Sequence, residues 1–418
     1  MPAQINLQRN TKVFMSTIDL AGGAAVTGMV PGNTWQVEVL AGYAVSQASA
    51  TQDITSMESG TSPDRSQQRF NTSINPVDWN FQAYIRPTGL QRTNGSTHIT
   101  GNSMPVADWF LWQTLMSNTT WASGSQTKSA WQDDGKFGLA ERAATTNVFA
   151  HSANFSSANE YYLYFKMDNV IYQVSNATVN QATVDAAIDG IAMTTWTGFG
   201  TNLTELRGTP RDNAVSVFGG VLNSGTSATA NSNAYVMTAA QAYQPWGSYN
   251  VSGSIATASF IKNRLSTIDL KHAPSATGAG VTFTFPVTAM SFDYNNNLTY
   301  LTPEELSSLN APIGQFAGAR AISGSLSAYL RSGTDNTAQL FKQIIEDSRT
   351  SSAQTSNANL KIGGATVPFF AINMPAVQFD IPTHSIDDVI GMSVNFLAQE
   401  TTAGRGTADE LTLIVKKT

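Results

Sequence analysis

The chain repeats itself. Ser16-Thr17-Ile18-Asp19-Leu20 recurs as Ser266-Thr267-Ile268-Asp269-Leu270, and Ala83-Tyr84-Ile85-Arg86 is answered by Ala328-Tyr329-Leu330-Arg331, at spacings of 250 residues (16 to 266) and 245 (83 to 328). Landmarks that keep their order over such distances indicate an internal duplication, which requires one supersecondary arrangement to be used twice. A loop and a short amphipathic helix follow each Ala-Tyr-X-Arg segment. The first helix is predicted over about Pro105–Asn118, with Asn102 or Ser103 as cap, Pro105 in its first turn and Trp109, Trp112, Leu115 and Met116 on one stripe. The second is predicted over about Asn336–Asp347, with Asp335 or Thr337 as cap and Leu340, Phe341, Ile344 and Ile345 on its buried side. Each copy then closes with alternating strands around an acidic turn. These run from Ile171 to Trp196 and from Val377 to Ala398, and the alternation of Val394, Phe396 and Ala398 with Asn395 and Leu397 has the period of a strand.

These landmarks predict a mainly β protein of two tandem β-domains, each with a flanking helix. The first occupies 1–203 and the second 260–400, separated by a Gly/Ser/Asn-rich insertion or linker over 204–259. The linker is expected at a surface or an interface, because a long structureless loop is unusual inside a compact domain. Residues 401–418 form a C-terminal tail in which Leu411 to Val415 suits one edge strand.

Composition narrows the function. Charged residues make up 12%, about half of the roughly 25% usual in globular proteins, so the surface is neutral and rich in hydroxyls and amides. Aromatic content of 10% supplies the apolar surface that disordered chains lack. A net charge of −6 without any block of Lys or Arg argues against a groove that grips nucleic acid through its phosphates. The absence of cysteine excludes disulfides, thiolate nucleophiles and Cys-ligated metals. No apolar run approaches the roughly 18 residues of a membrane span, and the N-terminus has no signal-like apolar region, so synthesis and retention in a cytosol are expected, with no membrane partner.

No catalytic constellation emerges. His98, His151, His272 and His384 have no companion at metal-ligand spacing, and there is no G-x-S-x-G elbow or phosphate-binding loop; Gly198-Phe199-Gly200 begins a dinucleotide fingerprint and then fails. Asp133-Asp134 and Asp387-Asp388 read as polar turns, and Trp109 and Trp112 as core packing rather than sugar stacking. No enzyme activity, cofactor or metal is expected. A duplicated, weakly charged β protein of this kind reads as an assembly component.

Several segments resemble one family, the duplicated tail tube proteins of long non-contractile-tailed bacteriophages of the T-five type. They are Leu7 to Thr17, Asp53 to Ile85 and Ile171 to Leu203 in the first copy, and Ser259 to Leu265, Asn295 to Pro303 and Pro312 to Leu330 in the second. The resemblance implies two tail-tube β-sandwich domains per chain, homotrimeric rings of pseudo-sixfold symmetry, and stacking of rings into a hollow tube with an inner β-barrel. It implies partners in the tape measure, tail tip and tail terminator proteins, a place in the virion tail after assembly in the host cytoplasm, and passage of double-stranded DNA without specific binding. Loops at Gly60 to Phe70 and Thr302 to Ala319 would reach the adjacent ring, with Asp64, Arg65, Arg69, Pro312, Ile313 and Phe316 as contact candidates. The lumen is expected to be neutral or acidic, with Asp185, Asp189, Asp387 and Asp388 as candidate lining residues. Some relatives carry a further immunoglobulin-like domain, which is not expected here. The inner tube of a contractile tail, or a decoration or receptor-binding β-protein, is the alternative reading.

Overall fold

A computed structural model describes residues 11–21, 34–37, 39–54, 68–94, 97–106, 108–116, 160–167, 170–206, 260–273, 281–303, 310–349, 355–363, 369–386, 389–400 and 410–416. Within the first half lie β1 (Thr11–Ser16), β2 (Thr34–Val37), β3 (Ala44–Ile54), β4 (Gln68–Tyr84), β5 (Pro87–Asn94), β6 (Thr97–Val106), α1 (Trp109–Leu115), β7 (Tyr161–Met167), β8 (Val170–Ala187), β9 (Met193–Gly200) and β10 (Asn202–Glu205). The second half contains β11 (Thr267–Ala273), β12 (Val281–Phe285), β13 (Ala289–Asn295), β14 (Leu298–Leu301), β15 (Gly314–Ala317) and β16 (Ala321–Tyr329). It continues with α2 (Thr337–Ser348), β17 (Thr355–Gly363), β18 (Phe369–Phe379), β19 (Thr383–Ile386), β20 (Ile390–Ala398) and β21 (Thr412–Lys416). Among the described residues every ladder between these strands is antiparallel, and the protein is mainly β.

The halves share one wiring. One sheet of the first half runs β2-β1-β7-β8-β10, and its counterpart runs β12-β11-β17-β18-β21. A second sheet runs β3-β4-β9-β8, matched by β13-β16-β20 with β18 and β19. β8 serves both sheets of its half. It turns at Asn176, where φ is +48°, and bulges between Val179 and Gln181; such devices let one strand pass between packed sheets. The equivalent path in the second half is interrupted between β18 and β19, where Pro382 has no N–H to give a ladder.

Alternation along the strands builds the core between the two sheets. Val77, Trp79, Phe81 and Ala83 of β4, Trp196 of β9, and Met392, Val394, Phe396 and Ala398 of β20 are buried, while the residues between them face the other way. α1 lays Leu111, Trp112, Leu115 and Met116 into this core, with the Trp112 and Trp196 rings 4.8 Å apart edge to face.

Two expectations change on contact with the structure. α1 begins at Trp109, and Asn102, Ser103 and Pro105 belong to β6, which is already paired with β5; Asp108 precedes the helix instead. The repeated Ser-Thr-Ile-Asp-Leu pentapeptides are not structurally equivalent. Ser16 ends β1 and turns the chain by accepting from the Ile18 N–H, whereas Thr267 to Leu270 lie inside β11. The Ala-Tyr-X-Arg segments do coincide: Ile85 N–H donates to the Ala192 carbonyl at 3.0 Å, and Leu330 N–H to that of Ile390 at 2.9 Å. α2 lies within a residue of its predicted span at each end. Residues 207–259, most of the predicted linker, lie outside the described residues, as do Asp133 and Asp134.

Candidate functional site: a polar sheet face and a strand junction

β8 joins the halves. Beyond its pairing with β9, its outer edge pairs with β13 of the second half, from Gln181 opposite Asn295 to Ala187 opposite Ala289. The result is one continuous sheet in the order β3-β4-β9-β8-β13-β16-β20-β19.

One face of this sheet is core. The other presents Ser46, Asp78, Asn80 and Gln82, then Thr195 and Thr197, then Gln181, Thr183 and Asp185. Past the junction it continues with Ser291, Asp293 and Asn295, Ser323, Ser325 and Ser327, and Ser393 and Asn395. Segments 44–47, 77–84, 181–187, 193–200, 289–295, 321–329, 383–386 and 390–398 contain neither Lys nor Arg. Hydroxyls and amides on this face bond laterally, as between the Ser291 and Ser325 hydroxyls at 2.8 Å and from Gln82 Nε2 to Thr195 Oγ1 at 3.2 Å.

Asp293 is the polar centre of the junction. Its Oδ1 accepts from Gln181 Nε2 and from Thr183 Oγ1, both at 2.7 Å. Asp185 lies on the same face two residues along, and partial burial, with the neighbouring Asp293 carboxylate adding to it, raises its pKa. Asp185 is thus the one predicted lining residue that the structure places on this face. Asp189 sits in the β8–β9 turn, 82% exposed and 3.8 Å from Arg264, while Asp387 and Asp388 lie outside the described residues. Sequence reasoning missed Asp78 and Asp293, although Ser291-Phe292-Asp293-Tyr294-Asn295 carries the strand period that reveals the latter.

Two hairpins leave the sheet at matching places. In the first, the far ends of β3 and β4 pair as Asp53 opposite Arg69, joined by hydrogen bonds of 2.6 and 3.3 Å, with Ile54 and Phe70 exposed beside them. Asp64 and Arg65 lie outside the described residues. The second is β14–β15, which exposes Leu301, Ile313 (70%) and Phe316, while Pro312 is buried within the chain. It leans on the base of the first, where Ile74 N–H donates to the Asn310 carbonyl at 2.8 Å, and on β8, where Tyr300 Oη donates to the Asn176 carbonyl at 3.0 Å.

The tail tube protein pb6 of Escherichia phage T5 is 28% identical to this chain over 398 residues, covering 94% of the chain and 72% of the phage protein. The chain is a relative of a phage tail tube protein. A match of that extent includes both halves of this tail tube relative and the junction between them. No protein-family profile matches. Among solved structures, a chain of the anti-feeding prophage baseplate is 11% identical at a TM-score of 0.25, covering 36% of this chain and 91% of that one. A chain of the extracellular contractile injection system PVC sheath-tube complex, in its extended state, is 11% identical at 0.24, covering 35% and 88%. Both structural likenesses are too weak to bear on function.

Proposed function

We propose that the chain is a structural subunit of a phage tail tube, carried in the virion tail and without enzymatic activity. Its two similarly wired halves act as pseudo-equivalent domains, the first ending near 203 and the second running from about 260 through β20 and including β21. Three chains close a ring of six such domains, and rings stack through the β3–β4 and β14–β15 hairpins. Similarity to a tail tube protein along 94% of the chain is the observation that carries this reading.

The polar face of the joined sheet supplies the mechanism. Turned inward, it forms the wall that DNA passes. A wall neutralising even six phosphates would hold DNA with an affinity changing by about 10³-fold over a modest salt range. Hydroxyls, amides and scattered carboxylates offer no such grip, so the duplex slides without pausing. Tape measure, tip and terminator proteins would then meet the tube's interior and its two ends.

Expression of the chain alone, with negative-stain electron microscopy and light scattering, tests the proposal. Hollow rings or tubes with a ring mass near three chains are expected. Failure of antibodies against the chain to label the shaft of the tail would end it.

A further inference from the structure

We propose that a second copy of the chain docks by repeating the β8–β13 junction between molecules. The outer edge of β3 in one copy pairs antiparallel with segment 381–386 of another, Thr383 opposite Ser46 and Ser385 opposite Ala44, and α2 is seated against the incoming first half. This rests on the tube reading and specifies its subunit contact.

The register follows from the internal equivalences. Ala83 and Ala328 superpose β4 on β16, which makes Asp78 the counterpart of Ser323; because Asp78 pairs with Ser46 and Ser323 with Asp293, Ser46 corresponds to Asp293. Ala192 and Ile390 superpose β9 on β20, so Thr195 corresponds to Ser393 and their partners Thr183 and Thr383 to each other. The internal pair Thr183–Asp293 therefore becomes Thr383–Ser46 between copies. Both strands needed are open, since among the described residues β3 pairs only with β4, and β19 only with β20. One edge at each end of the sheet gives a head-to-tail contact, the kind that closes a ring.

Two exposures show what is missing. Ala186 is 5% exposed because β13 covers it, whereas its counterpart Ile386 is 82% exposed. The helices differ in the same sense. Leu111, Trp112, Leu115 and Met116 of α1 are all buried; at the same spacing in α2, Leu340 and Ile344 are buried but Phe341 and Ile345 only half so. Part of the α1 cover comes from the second half, through Phe370, whose ring lies 5.6 Å from Trp112, and Asn296, whose Nδ2 donates to the Leu115 carbonyl at 2.8 Å. Within the chain the Phe341 ring packs edge to face on His384 of β19 at 4.4 Å, and in the proposed docking the remaining cover for α2 comes from the first half of another copy.

The absence of native cysteine makes the test clean. Ser46→Cys with Thr383→Cys, oxidised after assembly, should give covalent trimers on denaturing gels, while either single variant gives none; cross-strand neighbours fall within disulfide reach. Ser46→Cys with Ile381→Cys, two residues out of register, should crosslink at least tenfold less. A second variant, Phe341→Asp, should keep the parent's circular dichroism and lose rings. Assembled rings in which the in-register pair fails to crosslink, or in which Phe341→Asp assembles normally, would overturn this docking and leave the tube reading standing. A parent chain that forms no rings and is absent from the tail shaft would remove both.

Discussion

The two halves fill the middle of the joined sheet in mirror fashion. In the first, Trp79 of β4 lies over Gly198 of β9; in the second, Phe396 of β20 lies over Gly324 of β16, at the equivalent pair of positions. Each glycine is small because the aromatic needs the room: a Cβ on Gly198 would stand 2.2 Å from the Trp79 ring and 2.0 Å from the Thr178 carbonyl, and one on Gly324 2.3 Å from both Phe396 and the Ser291 carbonyl. What has been kept is one aromatic ring over one glycine in a cross-strand pair. The strand that supplies the ring has changed. A duplicated fold can thus drift in identity while its packing density stays near that of a crystal.

The largest effect is expected where that exchange is violated. Gly198→Val should unfold the chain or cost more than about 4 kcal/mol, because neither the backbone carbonyl nor the buried indole can retreat. Urea denaturation of the soluble fraction measures it. Next comes Trp79→Gly, at about 3–5 kcal/mol for the cavity left behind. Combining it with Gly198→Phe moves the ring to the strand that carries it in the second half; this relieves the clash with the indole but not that with the Thr178 carbonyl, so a double-mutant cycle should recover about 2 kcal/mol as coupling without restoring the parent's stability. Additive losses would mean that the swap depends on surroundings beyond the pair.

The helix starts give a subtler contrast. Asp108, ahead of α1, is fully buried, accepts from Trp196 Nε1 at 3.1 Å, and is pushed by burial to a pKa of about 7. α2 begins instead with a buried hydroxyl: Thr337 Oγ1 accepts from the Arg331 N–H at 2.7 Å and donates to the Tyr329 carbonyl at 2.9 Å. Between about pH 4 and 7 the folded chain holds a proton on Asp108 that the unfolded chain has released, so stability falls as pH rises through that window, by up to about 1.4 kcal/mol per unit. Asp108→Asn should flatten this slope in melting curves taken at pH 5 and 7.5. Thr337→Val should cost about 1–3 kcal/mol equally at both.

The smallest effect belongs to the junction. Asp185→Asn removes a carboxylate crowded by Asp293 and should stabilise the chain by less than about 0.5 kcal/mol at pH 7, with the gain shrinking in salt and vanishing as pH falls well below the ordinary aspartate pKa, where the wild-type group is neutral in both states. Its counterpart at the proposed contact between copies is Ser385, facing Ala44, and Ser385→Ala should leave the melting temperature of the monomer unmoved.

Local periodicity made much of this legible. The β8–β9 hairpin, β20 and α2 all carry the alternation or stripe of their element in plain sequence. Signals that depend on a distant partner stayed hidden. The pentapeptide repeat was an identity of letters at different structural positions, and nothing in residues 181–187 announces that their second edge belongs to residues 289–295. Asp293 is invisible to a reading centred on acidic turns, because the carboxylate that organises the polar face sits mid-strand between Phe292 and Tyr294. The start of α1 is masked for a related reason: Pro105 near a cap-like Asn or Ser imitates a helix entrance, and only pairing with β5 claims that stretch for a strand.

The β8–β13 junction also changes the arithmetic of growth. Because half of the inter-domain contacts in a six-domain ring would be made inside single chains, they form at an effective concentration independent of how much protein the cell has made, and only two encounters per ring obey mass action, the last contact closing the ring within one assembly. The angle at which one domain meets the next is then already set in every free subunit. Curvature would be inherited from folding and merely copied by association, so a scarce chain early in infection would still build rings of the right size.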